Sequence, residues 1–433
     1  MSEKFDVIVI GAGPAGNAAA FTLARAGLKV LQLERGEYPG SKNVQGAILY
    51  AHSLEQIIPD FRESAPLERH IIEQRLWMMD EKSFVGTHYR SDEFNAEPYN
   101  RYTIIRARFD KWFSEKVQQA GALVICEMTV KNLLKNKKGR VIGVEVEREN
   151  GKIHADAVIL ADGVNSLVAT QAGLRRDIQA SHAALAVKEM IFLPRETIEA
   201  RFNLEGQAGV VIEMMGSVTE GMVGTGFLYT NKDSLSIGVG GMLVDMKAQK
   251  TTPAELLERM KAHPSVAPLI AGGETREYAA HLLPEGGYKA LPQLYGDGWM
   301  MVGDSAGFVN SVHREGSNLA METGRLAAET LIELFQAGKV PDAANLAAYK
   351  ARLDDSFAMK DLKKYRKIPT MLHTQRQFFN DYPPLFNKAA HKFLMIDGRD
   401  KRSKEKEIVA SFIKRRSLFG LLGDAYRLWR ATR

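Results

Sequence analysis

An α/β protein with a dinucleotide-binding core, an inserted mixed β-sheet and a helical C-terminal region is what three features of this 433-residue chain predict. A strand, a glycine-rich turn and a helix open the sequence. A second apolar strand, ending in Gly-Asp and followed by another helix, comes far along it. Between them residues 183–245 are rich in strand formers, glycine and methionine, and beyond Gly324 the pattern is helical almost to the end.

In the first segment, Phe5-Asp-Val-Ile-Val-Ile-Gly-Ala-Gly-Pro-Ala-Gly16 runs into the alanine-rich stretch Asn17–Ala26 and then Lys29-Val-Leu-Gln-Leu-Glu34. The spacing of Gly11, Gly13 and Gly16 makes this a Rossmann-like βαβ unit for a dinucleotide. Gly11 permits a sharp turn, Gly13 lets backbone approach a pyrophosphate, and Gly16 lets the helix lie close on the sheet with its N-terminus toward the phosphates. Glu34, at the end of the second strand, is placed to accept hydrogen bonds from an adenosine ribose.

Arg35–Gly40 and Ser41–Gly46 read as loops that can follow a cofactor closely, and Ser53–Ile58 as a helix. Leu76–Tyr89 and Tyr102–Ile105 look like strands, and Phe109–Ala120 like an amphipathic helix with Arg106 just before it. Ala122–Val130 and Val141–Arg148 form a β-meander around Asn136-Lys-Lys-Gly139. Ala157–Gly163 is a buried strand with a tight turn, where Ala161 and Gly163 offer backbone to the adenosine half of a ligand. Gly238-Val-Gly-Gly241 is followed by polar Lys247–Pro253 rather than an apolar helix, so it reads as a packed strand, and Thr252–Lys261 as a helix. The domain division expected is 1–75, 101–172 and 275–345 for the cofactor domain, 76–100 and 173–274 for the inserted substrate domain, and 346–433 for the helical region.

Trp299-Met-Met-Val-Gly-Asp-Ser-Ala-Gly307, with the helix that begins near Glu315-Gly-Ser-Asn318, selects among dinucleotides. Extended FAD needs a carboxylate for its ribityl hydroxyls and a helix N-terminus at its ring. Asp304, after Gly303, supplies the first, and the N–H groups of Gly316, Ser317 and Asn318 supply the second, where the helix dipole favours the negative charge of reduced flavin.

The net charge is +6, yet Lys401–Arg433 alone holds ten Lys and Arg against three acids, a local +7. A basic excess confined to the tail argues for a local anionic partner and against a nucleic-acid surface. One cysteine, Cys126, excludes a disulfide framework and a four-cysteine iron–sulfur or zinc site in this chain. Met1-Ser-Glu-Lys leads straight into a strand, which predicts no signal peptide, and no apolar run has spanning length. The expectation is a cytoplasmic protein, peripheral on the inner face of the cell membrane. Leu418, Leu422, Ala425 and Trp429 recur at helical spacing in Ile413–Arg433 among Lys414, Arg415, Arg416, Arg427 and Arg430, which suits an anionic bilayer or a helix packed on a neighbour.

With Asn43-Val-Gln-Gly46, Arg106-Ala-Arg-Phe-Asp-Lys-Trp112, Ala161-Asp-Gly163 and Pro284-Glu-Gly-Gly-Tyr-Lys-Ala-Leu-Pro292 added to the two motifs, the chain resembles the electron-transfer-flavoprotein:quinone oxidoreductase family, in its FixC-type (EtfC) branch. That family is akin to geranylgeranyl reductases and aromatic hydroxylases, and its cofactor domain is of the glutathione-reductase and aromatic-hydroxylase type. The resemblance implies Gly11, Gly13, Pro14, Ala15, Gly16, Glu34 and Arg35 as contacts of the adenosine diphosphate. It implies Arg106 at the pyrophosphate, where a surface salt bridge is the alternative, and Val130 at the adenine, where a buried strand valine is the alternative. Asn43, Gln45 and Gly46 would line the flavin, or form a plain loop. It further implies electrons taken from an electron transfer flavoprotein of FixA/FixB type and passed to a quinone, possible bifurcation included. The cluster missing from this chain would sit on a ferredoxin-like FixX-type subunit.

No Ser-His-Asp set, carboxylate pair or metal-ligand cluster stands out, so no catalytic side chain is assigned, and His313 reads as a surface histidine. The apolar strands around Val210 to Phe227 are the expected quinone route. The same FAD frame serves prenyl reductases and monooxygenases, and a structural FAD-bound subunit is the reading from another class.

Overall fold

Apolar runs only four to seven residues long cannot bury themselves as helices, and here they become strands covered on both faces. The structure, a computed structural model, describes residues 4–42 and 46–433. It divides into two compact units. The first comprises residues 4–42, 46–68, 100–182 and 282–363.

In this unit the elements that matter for the site are β1 (Lys4–Ile10), α1 (Pro14–Arg25), β2 (Val30–Leu33), α2 (Arg106–Gln119), β3 (Leu123–Ile125), β4 (Val130–Lys135), β5 (Val141–Val146), β6 (Lys152–Leu160), β7 (Tyr295–Gly296), β8 (Trp299–Met301) and α3 (Ser317–Gln336). The sheet order is β7-β8-β6-β1-β2-β3, with β5 beside β6 and β4 beside β5. β8, β6, β1, β2 and β3 are parallel, in registers such as Ile10 opposite Leu160 and Leu33, and Leu160 opposite Met301. The two Gly-bearing strand ends of the sequence, Ile10 and Met301, therefore flank one strand, β6, at the same edge of the sheet. Arg106 is the first residue of α2 rather than the residue before a helix starting at Phe109.

The second unit comprises residues 69–99, 183–281 and 364–433. Its sheet runs in the order Glu274–Pro284, Ala183–Phe192, Ser234–Met242, Gly224–Thr230, Ala208–Gly216, Leu67–Met79, with Phe84–Arg90 along the last. The pairing of Ala208–Gly216 with Leu67–Met79 is parallel and its other partner antiparallel, so the inserted sheet is mixed. Ile72, Trp77, Val210, Ile212, Met214, Leu228 and Ile237 form its core with Leu256, Leu257 and Met260 of the helix Pro253–Ala262. Thr252 closes that helix with a capping box to Glu255. The fully buried Arg69 is satisfied by the carbonyls of Asn231, Gly206, Ala208 and Lys232 and by Glu199.

Two expectations change here. A short helix, Leu243–Gln249, does follow Gly238–Gly241, but the glycines lie in Ser234–Met242, where a Cβ on Gly238 would come within 2.3 Å of the Phe227 ring and 2.5 Å of the Val187 carbonyl. Close strand packing explains them. The strands around Val210 to Phe227 are not an open route either: Val210, Val211, Ile212 and Met214 are wholly buried, and Phe227 stacks on Tyr229 at 4.8 Å.

From Lys364 onward the second unit is helical, ending in Lys401–Arg415 and Leu418–Ala431. The tail is thus two helices, not one from Ile413, because Ser417 starts the last one as its N-cap, accepting from the Gly420 N–H. No helix among the described residues is long and apolar enough to cross a membrane.

Candidate flavin site

The glycine turn is fixed by contacts that admit no side chain. Gly11 has φ of +100°, and a Cβ there would lie 2.3 Å from the Ala161 carbonyl oxygen. A Cβ on Gly16 would lie 2.0 Å from the Gly11 oxygen, whereas one on Gly13 meets nothing within 4 Å. Gly13 faces open space at the start of α1, which carries Pro14 in its first turn and has no side-chain cap. An uncapped N-terminus leaves N–H donors for an anion.

Behind the turn lies a buried amide pair. Asn17 Nδ2 donates to the Ala12 and Asp110 carbonyls at 3.0 and 3.3 Å, and Gln32 Nε2 donates to the Gly11 carbonyl and Asn17 Oδ1 at 3.1 and 3.0 Å. These bonds hold the loop backbone in place from the rear, leaving its front for a ligand.

Glu34 ends β2 with its carboxylate accepting from the Ala12 N–H at 3.0 Å and the Gly36 N–H at 2.7 Å. Two backbone donors orient the group, and each oxygen keeps lone pairs for ribose hydroxyls. Arg35, next to it, is exposed. Val130 is a buried residue at the start of β4, opposite Val146. Asn43 and Gln45 lie outside the described residues. Gly46 is buried and pairs with Ile105, the residue before Arg106.

Arg106 makes a bidentate bond to Asp110, 2.9 and 2.8 Å, whose side chain is all but inaccessible. Burial works against the Arg106 charge, but Asp110 and Asp304 outweigh it and raise its pKa. The arginine therefore reaches the site already oriented, in an ion pair rather than standing alone.

The second motif closes on the first. Gly303, at φ of +59°, donates its N–H to Thr323 Oγ1 of α3 at 3.0 Å, and a Cβ there would lie 2.8 Å from that of Ala15. Within α3, a Cβ on Gly324 would lie 2.2 Å from the Ala15 carbonyl oxygen. Ser305 Oγ accepts from the Gly163 N–H at 3.0 Å, and the Ser305 carbonyl accepts from Arg175 at 2.8 Å. Gly11, Ala15, Ala161, Gly163, Gly303 and α3 are thus one constellation. Burial raises the pKa of Asp304, and Arg106 and Arg175 act in the opposite sense.

α3 begins at Gly316 with no side-chain cap. Asn310 and Glu315 bond backbone to backbone in both directions, and the Glu315 carboxylate accepts from Asn310 Nδ2 and Asn318 Nδ2 at 2.9 and 3.0 Å. Asn318 is 4% exposed, and its Oδ1 has no hydrogen-bond partner. A buried acceptor without a donor, two helix N-termini without caps and an open face at Gly13 are the features an extended FAD would satisfy. Asn17, Gln32, Arg175, Ser305, Asn310 and Glu315 support this arrangement without having been singled out in the sequence. His313 is exposed.

A model of the FAD binding domain matches residues 4–353, and a model of the ETF-QO/FixC family C-terminal domain matches residues 368–433. Protein FixC of Azotobacter vinelandii is 63% identical over 432 residues, 100% of each chain. The chain belongs to the ETF-QO/FixC family. Protein FixC of Escherichia coli K12 is 41% identical over 412 residues, 94% of this chain and 95% of its own. Among solved structures, a geranylgeranyl bacteriochlorophyll reductase-like protein of Thermoplasma acidophilum superposes with a TM-score of 0.73 at 19% identity, covering 95% of this chain and 96% of that one, a likeness of fold. As a FixC-family member the chain is an FAD-dependent oxidoreductase, and its α/β cofactor domain with an inserted mixed sheet is the expected architecture.

Proposed function

We propose that this FixC-family flavoprotein takes electrons from an electron transfer flavoprotein of FixA/FixB type, through a ferredoxin-like iron–sulfur subunit of FixX type, and passes them to a membrane quinone, in an assembly able to bifurcate electrons. The observation that carries this reading is the pairing of an FAD-binding domain with a single cysteine: Cys126 cannot by itself hold a cluster, and the reading therefore puts the one-electron relay on a neighbouring subunit. Among the described residues no group of three His, Cys, Asp or Glu could hold a metal ion.

Bound FAD supplies the redox chemistry. The residues bind and orient. α1 and the Gly13 face receive the pyrophosphate, Glu34 takes the ribose, Asp304 holds ribityl hydroxyls, and the first turn of α3 presents N–H groups and Asn318 Oδ1 to the ring. Arg106 balances phosphate charge while Asp110 keeps it aimed.

The tail supports a place at the membrane surface. Phe419, Leu422, Tyr426 and Trp429 on the last helix are exposed, as are Phe393, Leu394 and Ile396 ahead of it, with Phe419 at 85% and Ile396 at 78%. Apolar exposure at positions 419, 422, 426 and 429, one face of the last helix, marks an interaction face. Its charge is more muted than the count of basic residues suggests, since Arg416 and Arg427 both pair with the buried Asp424 and Arg415 pairs with Asp381. Apolar insertion, with Lys414 and Arg430 at the rim, is the proposed mode.

The test is reoxidation. Holoprotein reduced by dithionite and freed of excess reductant recovers its oxidised flavin spectrum on anaerobic addition of a quinone analogue. Reduced flavin that survives a panel of benzoquinones and naphthoquinones overturns the quinone reading.

A further inference from the structure

Glu285 is a carboxyl of the flavin region to which no role in holding the cofactor falls. It follows the strand ending at Pro284, and its backbone N–H donates to the His182 carbonyl at 2.8 Å, which fixes where the side chain starts. Two segments face its carboxyl. Ser311, in the loop between Asn310 and Glu315, hydrogen-bonds its carboxyl, Arg314 of the same loop attracts it, and Asp304 repels it. That loop is pinned at both ends by the Asn310–Glu315 bridge and passes directly into α3. The remaining charges are one step further out: Arg106 and Arg175 face Asp304 rather than Glu285, and Lys363 lies over the ring of Tyr288. His182 borders the segment on the other side, where a Cβ on Gly286 would lie 3.1 Å from its own Cβ.

Two carboxyls, Asp304 and Glu285, thus repel each other, Glu285 drawn to Arg314 and Asp304 to Arg106 and Arg175, beside the place where reduced flavin brings a further negative charge. From this geometry we infer that Glu285 is a redox-linked proton acceptor, taking one proton from solvent when the flavin is reduced and releasing it when the flavin is reoxidised. Each two-electron reduction by an external donor then consumes two protons, one at the flavin ring and one converting the Glu285 carboxylate to the acid, and reoxidation returns both. The balance closes without another group. Burial pushes the Glu285 carboxyl up to about 7, against the pull of Ser311 and Arg314 and with the help of Asp304, so that it sits where a small change of local charge moves its proton. By linkage, a charge that favours the proton on Glu285 also makes the potential depend on that proton. The inference rests on the flavin ring lying at the N-terminus of α3, and not on the identity of the electron donor or acceptor.

The experiment is a spectroelectrochemical titration of holoprotein from pH 6 to 8, without quinone or partner subunits, so its outcome is independent of the reoxidation test. One extra proton per two electrons is a tenfold change in the equilibrium constant per pH unit, about 30 mV for a two-electron couple. Above pH 7, where the oxidised protein holds Glu285 ionised, the wild type should show twice the slope of Glu285→Gln, and Glu285→Asp should restore the steeper one. Equal slopes in wild type and Glu285→Gln overturn the inference. Should the Gln variant fail to hold FAD, the reduced-minus-oxidised infrared difference spectrum of the wild type decides. A carboxylic-acid C=O band gained on reduction and shifted by exchange into D2O supports a carboxyl that takes up the proton, and its absence refutes it.

Discussion

Replacing Gly13 by Ala separates what the glycine turn does for the fold from what it does for the ligand. The backbone of Gly13 is extended, at φ of −80°, a conformation any residue adopts, and the added methyl meets no protein atom within 4 Å. Apoprotein stability should therefore change by no more than about 0.5 kcal/mol, as for an ordinary surface substitution. The methyl does, however, occupy the face proposed above for the pyrophosphate. At an FAD concentration one hundredfold above its dissociation constant, binding stabilises the wild type by about 2.7 kcal/mol. A tenfold loss of affinity lowers that increment to about 1.4 kcal/mol, and a hundredfold loss to about 0.4 kcal/mol. Thermal unfolding of apo and FAD-loaded forms, followed by a dye and by flavin fluorescence, reads both numbers. Gly324→Ala makes the contrast, since its Cβ would lie 2.2 Å from the Ala15 carbonyl and should destabilise the apoprotein by about 1–3 kcal/mol through overpacking. A Gly13→Ala protein that retains the full FAD-dependent rise, or that is destabilised before FAD is added, refutes the assignment of that face.

Arg106→Ala strands the Asp110 carboxylate in a site where its side chain is 1% exposed, so urea unfolding should show a loss of about 3–5 kcal/mol, part of it recovered by adding Asp110→Asn. The apoprotein should lose stability as pH rises from about 4.5 to about 7, because Glu285 binds its proton more tightly folded than unfolded; its contribution is complete below the ordinary carboxylate range and gone above the folded value. At about 1.4 kcal/mol per pKa unit the span is worth roughly 3 kcal/mol, and Glu285→Gln should flatten that part of the pH profile. Replacing Phe419, Leu422 and Trp429 together by Ser should reduce co-sedimentation with phosphatidylglycerol vesicles at least tenfold while leaving the flavin spectrum intact. Unchanged sedimentation would place the membrane contact elsewhere.

The cofactor half of the fold was legible because its constraints are local. Glycines at fixed spacing, an acid at a strand end and a Gly-Asp turn before a helix each report on the backbone within a few residues. What stayed hidden depends on neighbours distant in sequence. Gln32 is the lone polar residue of Val30–Leu33, and only the strand order shows it beneath the Gly11 carbonyl with Asn17. Arg106 was visible but its partner was not, since starting the helix at Phe109 hid that Arg106 and Asp110 share a helical face one turn apart. The apolar strands near Val210 looked available for a ligand because the pattern does not distinguish a lining from a core, and the structure places Val210, Ile212 and Met214 in the core. At the tail, Ile413–Arg433 read as one stretch across Arg416-Ser417, where the serine was a stop-and-start signal in its own right.

The contact of Gly324 with the Ala15 carbonyl bears on how the protein is made. The two halves of the cradle lie more than half the chain apart, so a ribosome that has delivered everything up to β8 has produced a nucleotide grip with no seat for the ring. Loading of the prosthetic group must then wait for α3 to emerge and dock, and nascent chains arrested before Ser317 should come off the ribosome colourless even in a cell rich in FAD.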